Sequence, residues 1–243
     1  MLNAILYFLK KSFECLMANK KHTVLLFIMF ILFAIILNNI DGIYHQIVMV
    51  AYVILFVSYG IQLTREVING KEVLPAFNFK DIPRGIMTIA ILFVYGCIQA
   101  LLFFVIASVF DFPSFEVEEF ILKFPETIHL IYTHSPVDSV LFFALSLIVL
   151  YVVGFFMEIA LAHLADGGRF LDSFNLKLLK IYVDKIGWVT YIKDYTAVLL
   201  LLLVFTLFDF VPVITAFMST LSVMLILIVE FTSIGFIFRK TKT

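Results

Sequence analysis

Two carboxylates stand where carboxylates are costly. Glu158 lies between Met157 and Ile159, and Glu230 lies between Val229 and Phe231, each within a long apolar stretch. A charge at the centre of a bilayer costs ~2.5–3.5 kcal/mol on insertion scales, so such a residue pairs, faces a wet cavity or handles an ion. Polar residues recur around them at helical spacing, 100° per residue. Thr215, Ser219, Ser222, Glu230 and Ser233 share one face, as do Ser58, Gln62, Arg65, Glu66 and Asn69, while Thr88, Tyr95 and Gln99 form a weaker stripe. None of these stripes can face lipid, so they converge. Two readings stay open. Gln62, Arg65, Gln99, Glu158 and Glu230 line a hydrated polar cavity for a proton, a cation or a polar solute. Alternatively the small and hydroxylated residues pack helices together, at ~0.6–2 kcal/mol per hydrogen bond, with Glu230 protonated or paired with Arg65.

Other chemistry has thinner support. Glu158, His163 and Asp166 form the nearest approach to a catalytic or metal cluster, but a metal site wants more ligands and a supporting shell. His129 and His134, with Glu126 and Asp138, read as solvated loop residues. Cys15 and Cys97 read as unbridged thiols. There is no His-Glu-x-x-His, no Gly-x-Ser-x-Gly, no phosphate-binding Gly-rich loop with Lys-Ser/Thr and no Gly-x-Gly-x-x-Gly. The expectation is a non-enzymatic protein with no cofactor and no resident metal.

The elements that position these residues follow from composition. The chain has 243 residues, 63% hydrophobic and 14% charged, with a mean hydropathy of +1.10. Soluble domains run at roughly 45–50% apolar and about 25% charged. That contrast excludes a disordered chain, a collagen, a disulfide scaffold and a nucleic-acid binder. A bilayer core about 30 Å thick needs around 20 apolar residues in a helix. Six spans are expected: Thr23–Leu37, Ile43–Thr64, Gly85–Phe110, Val137–His163, Asp194–Phe210 and Val213–Phe238. The first reaches only ~22 Å at 1.5 Å per residue, which puts Lys20, Lys21 and Asn38 at the interfaces. Asp209 and Pro212 break the run between the last two. The fold class is therefore all-α: a polytopic membrane protein of six transmembrane helices. An amphipathic interfacial helix over 1–22 precedes a single six-span domain over 23–238, and a basic cytoplasmic tail over 239–243 ends the chain.

Of the seventeen Lys and Arg residues, all but Lys123 fall on one side of this arrangement. The positive-inside rule then places both termini in the cytoplasm, in the plasma membrane. Nothing from Ile35 to Asn39 offers a small-residue cleavage site, so the first span reads as a retained anchor. The basic side faces anionic headgroups, worth ~1 kcal/mol per base near the surface. The bilayer is thus the expected partner. A protein partner or homo-oligomer stays open, and no nucleic acid is called for.

The two long loops on the basic side resemble each other. Residues Gly70–Ile82 lie over Gly167–Leu179 at a constant offset of 97 without a gap, with Gly70/Gly167, Leu74/Leu171, Phe77/Phe174, Asn78/Asn175 and Lys80/Lys177 identical. This predicts a parallel duplication with repeat units of about 43–110 and 137–210. In each copy the glycine ends the incoming helix. Leu and Phe then dip into the headgroup boundary, and Asn78, or Asp172 and Ser173, caps a short amphipathic helix. Its lysines face phosphate while Phe79, or Leu176 and Leu179, faces acyl chain. Residues Leu2–Met17 would make a similar in-plane helix, and Ser114–Phe124 an acidic one on the outer side.

The pattern Tyr59-Gly60, Arg65, Asn69-Gly70, Leu74-Pro75, Phe77 and Asp81, with Gly167, Arg169 and Phe174 in the second half, resembles a largely archaeal family of multi-spanning proteins, domain of unknown function 4013. The resemblance covers about residues 20–235 and departs at Asn78 and Lys80, where the family tends to be acidic. It implies a membrane location and no established activity. The leading expectation is a permease-like or export-associated component handling a small solute or ion. A non-transporting scaffold, immunity or envelope-stress factor is the alternative. An intramembrane enzyme using Glu158, His163 and Asp166 is the third.

Overall fold

The computed structural model describes residues 1–110, 136–207 and 215–242, and no strand occurs among the described residues. The segment Ser114–Phe124, Lys123, His129, His134 and the Asp209–Pro212 break lie outside the described residues. Helix α1 covers Leu2–Ala18, α2 Lys20–Asn39 and α3 Gly42–Ile68; after a 3-10 turn at Phe79–Asp81, α4 covers Ile82–Val109. Helix α5 covers Pro136–Ala165; after a second 3-10 turn at Phe170–Phe174 come α6 Leu176–Ile186, α7 Trp188–Leu207 and α8 Thr215–Arg239. Six of these helices are long and apolar enough to cross a membrane, so the chain is a multi-pass α-helical membrane protein.

Local chemistry explains where the helices start and stop. Asn19 caps α2, its side-chain oxygen accepting from the His22 N–H at 3.4 Å, and the helix runs 20 residues. At 1.5 Å per residue that is ~30 Å, a full span rather than the short one expected. Gly70 (φ +85°) ends α3 and Gly167 (φ +96°) succeeds α5, the left-handed geometry that glycine adopts without strain. The fifth span begins at Trp188, not Asp194. Gly187 (φ +89°) supplies the turn, and Asp194 is tied by an ion pair to Lys240 at the end of α8, so its charge does not stop the helix.

The chain forms two compact units, Met1–Ile91 with Glu158–Thr243, and Leu92–Met157. In the first, α8 crosses α3 at small residues. A Cβ on Gly60 would lie 2.5 Å from the Phe231 ring, and one on Gly235 2.8 Å from Val67. Thr64 Oγ1 donates to the Phe231 carbonyl at 2.8 Å. Without a hydrophobic drive between helices in lipid, this close backbone approach is what holds the crossing. In the second unit Phe142, buried, meets Phe103 edge-on with centroids 5.0 Å apart.

Helix α1, expected as an interfacial helix, packs against α8. Ala4, Phe8, Ser12, Cys15 and Leu16 make one buried face, and Ser12 Oγ sits 2.7 Å from Thr232 Oγ1 of α8. Tyr7 meets Phe236 edge-on. Leu2, Leu6, Phe13 and Met17, spaced by four and seven, form a second apolar face that stays exposed. Protein therefore holds one side of α1, and the other stays exposed. Burial pushes the Cys15 thiol up to about 11, so it stays a thiol, which is the unreactive form. At pH 7.5 Cys15 should resist N-ethylmaleimide in folded protein and react once the protein is unfolded in SDS, read by mass spectrometry.

Candidate functional site

The last turns of α3 hold the first loop from below. Gln62 Nε2 donates to the Ala76 carbonyl at 2.7 Å, and its Oε1 accepts from the Asn78 N–H at 3.2 Å. Arg65 meets Asp81 through two parallel bonds of 2.7 and 2.8 Å, and Arg84 approaches the same carboxylate at 3.5 Å. The planar guanidinium matches a carboxylate two bonds at a time. Leu74 is fully buried, and Phe77 lies parallel to Tyr59 with centroids 6.4 Å apart. Ser58, Gln62 and Arg65 do share a face, but what Gln62 and Arg65 meet is this loop. Arg65 is thereby committed to Asp81 and is not the partner of Glu230.

At the second loop the motif is built differently. Asn78 and Asn175 each cap the turn that starts after them, accepting from Lys80 N–H at 3.1 Å and from Leu178 N–H at 3.3 Å. Asp172 and Ser173 lie instead inside the 3-10 turn. Only the second copy continues into an amphipathic helix, α6. In the first, the 3-10 turn that contains Lys80 runs directly into α4, and Phe79 is exposed. Lys177 lies in the first turn of α6, where Leu176 is exposed but Leu179 is fully buried in protein, not in acyl chain. Phe174 packs edge-on with Phe170.

His163 and Asp166 part company. His163 Nδ1 lies 3.1 Å from the Tyr182 hydroxyl, and Gly168 packs so closely that a Cβ there would reach 2.1 Å from His163 Nε2. Burial, then the charges of Asp166 and Asp172, push the Tyr182 phenol up, which keeps it protonated. Asp166 bonds Lys242 at 2.5 Å. No group of three or more His, Cys, Asp and Glu able to hold a metal occurs among the described residues.

Glu158 is 5% exposed and its Oε2 has no hydrogen-bond partner; Glu230 on α8 is within electrostatic range of it but shares no hydrogen bond with it. Glu230 is half-buried. Ser233, buried with its Oγ unpartnered, comes three residues after Glu230 and so shares its face. Gln99 stands apart: in the second unit it lines a cavity of about 340 Å³ with Ser146 and Phe103. The polar site thus reduces to two carboxylates and a hydroxyl.

A charged strap closes the same end of the first unit. Glu72 bonds Lys11 of α1 at 2.8 Å and Arg239 of α8 at 3.1 Å. The Lys11 hydrogen bond, then that of Arg239, holds the Glu72 carboxyl below its usual range, and Lys11 is raised in turn. A lowered carboxylate stabilises the fold above its ordinary pKa of roughly 4.3 and loses that contribution as pH falls through its folded value. A raised lysine contributes below about 10.4 and loses it on the alkaline side. Hydrogen exchange in residues 2–18, corrected for intrinsic rates, should be flat between about pH 5.5 and 9 and rise on acidification below about pH 4. Lys11→Gln should abolish the acid rise.

A family model described as "Protein of unknown function (DUF4013)" matches residues 42–217. The match covers α3 to the start of α8, including both loops and Glu158, but not Glu230. No curated protein and no solved structure matches.

Proposed function

Because the chain belongs to this DUF4013 family, whose description names no activity, we propose a function from the acid pair: a permease-like or export-associated membrane component that passes a proton or small cation by way of Glu158 and Glu230. In this reading both termini face the cytoplasm and the two loops lie at the anionic inner leaflet of the plasma membrane. One observation carries it. A carboxyl oxygen is buried without a partner, within electrostatic range of a second carboxyl, and a buried polar atom left unsatisfied costs ~1–3 kcal/mol. A carboxyl present only for packing would be capped, as Gln62 and Asp81 are. Two acids with no third ligand suit a proton or a monovalent cation, which ask less of a site than a divalent metal does.

The rival reading, a scaffold that moves nothing, draws on the cavities. One lies at Gln99 and the other between α2, α3 and the first loop, and neither is lined by Glu158 or Glu230. Liposomes separate the two. Purified protein reconstituted around a pH-sensitive dye, under imposed proton, Na⁺ or K⁺ gradients, should show flux above that of protein-free vesicles. Glu158→Gln and Glu230→Gln should each lower it at least about tenfold, since each removes a charge that the ion must meet. Wild-type vesicles as tight as empty ones under all three gradients would leave the scaffold reading standing.

A further inference from the structure

We propose that the cavity between α2, α3 and the first loop holds an acyl chain of an anionic phospholipid, with the headgroup met by Lys20 and Lys21. The cavity measures about 200 Å³ and is walled by Leu26, Met29, Phe56 and Phe77, with His22 and Tyr59 toward the loop. That is smaller than the ~300–1,000 Å³ of small-molecule sites and fits a length of hydrocarbon chain. Its polar groups are gathered at one end. His22 Nδ1 lies 3.1 Å from the Leu74 carbonyl, and Tyr59 OH lies 3.4 Å from that of Pro75.

Position and access favour a lipid over a solute from water. From His22 to Met29 the cavity descends ~10 Å along α2 at 1.5 Å per residue, from headgroup depth into the hydrocarbon. Leu25 lines it and is itself 52% exposed, as is Leu32, one further along the outward side of α2, so the cavity opens toward the bilayer. Charge supplies the headgroup. Lys11, Arg65, Lys71, Arg239, Lys240 and Lys242 are all spent on acids. Lys20 and Lys21 are exposed and take part in no ion pair among the described residues. An apolar slot whose His22 end directly follows two unpaired lysines in the chain is complementary to a phosphodiester with a fatty tail.

The test is native mass spectrometry of the detergent-purified chain after titration with phosphatidylglycerol or phosphatidylcholine. Wild type should retain one phosphatidylglycerol in preference to phosphatidylcholine. Lys20→Gln with Lys21→Gln should lower phosphatidylglycerol retention at least about tenfold and leave phosphatidylcholine unchanged. Met29→Trp, which fills the slot, should abolish retention of both. Ala76→Phe fills it from the exposed loop side and serves if Met29→Trp does not elute as a single folded species. Equal retention of the two lipids by wild type, or undiminished retention when the slot is filled, would overturn the assignment.

Discussion

Asp81→Ala should destabilise the folded protein by about 3–5 kcal/mol, the range for removing one partner of a buried ion pair. Asp81 has a side chain only 4% exposed, and Arg65 is 22% exposed. The loss strands the guanidinium where water reaches it poorly, and Arg84 loses the same acceptor. The effect should spread, because Asp81 closes the segment that Gln62 holds at Ala76 and Asn78. Unfolding in mixed micelles can be followed through Trp188, the one tryptophan, which opens α7 with its indole bonded to Asp184 of α6. The paired replacement Arg65→Met with Asp81→Leu should recover most of the loss, because apolar residues of similar volume need no counter-charge. A loss below about 1 kcal/mol for Asp81→Ala, the level of an exposed pair, would mean that water already solvates the pair.

This pair also shows where sequence reasoning stops. Arg65 and Asp81 both belong to the pattern that resembles the family, and the helical stripe on α3 correctly places Ser58, Gln62 and Arg65 on one face. Periodicity defines a face and does not say what the face meets. The stripe implies a cavity, whereas the partner is a loop only 16 residues on. Longer reaches are less legible still. Asp194 reads as a boundary of the fifth span because its neutralising partner, Lys240, lies 46 residues away. The amphipathic pattern of α1 announces an interfacial helix, while its second apolar face and the contact of Ser12 with Thr232, 220 residues apart, depend on tertiary packing. The spans themselves are legible because twenty apolar residues have one stable place to be. Gly70, Gly167 and the Asn78 cap are legible because backbone conformation and capping are local demands, whereas the second cap, expected at Asp172 and Ser173, falls at Asn175.

Replacing Glu158 with leucine should raise stability by about 1–3 kcal/mol while abolishing ion flux. The gain comes from removing a buried oxygen that no described group satisfies. The opposite sign distinguishes a structural acid. Had Glu158 been bonded as Asp81 is, leucine would orphan its partners and destabilise. Glu158→Gln makes the internal comparison: it removes the charge and keeps a polar group in place, so flux should fall as far as with leucine while most of the stability gain is absent. Sites that sacrifice stability for activity behave in this way, because the groups that bind are left unpaired until the ligand arrives. The same micelle unfolding curve and the same liposome assay read both quantities on one preparation. A Glu158→Leu protein that unfolds more easily than wild type would move the acid from ion handling to architecture, whatever its flux.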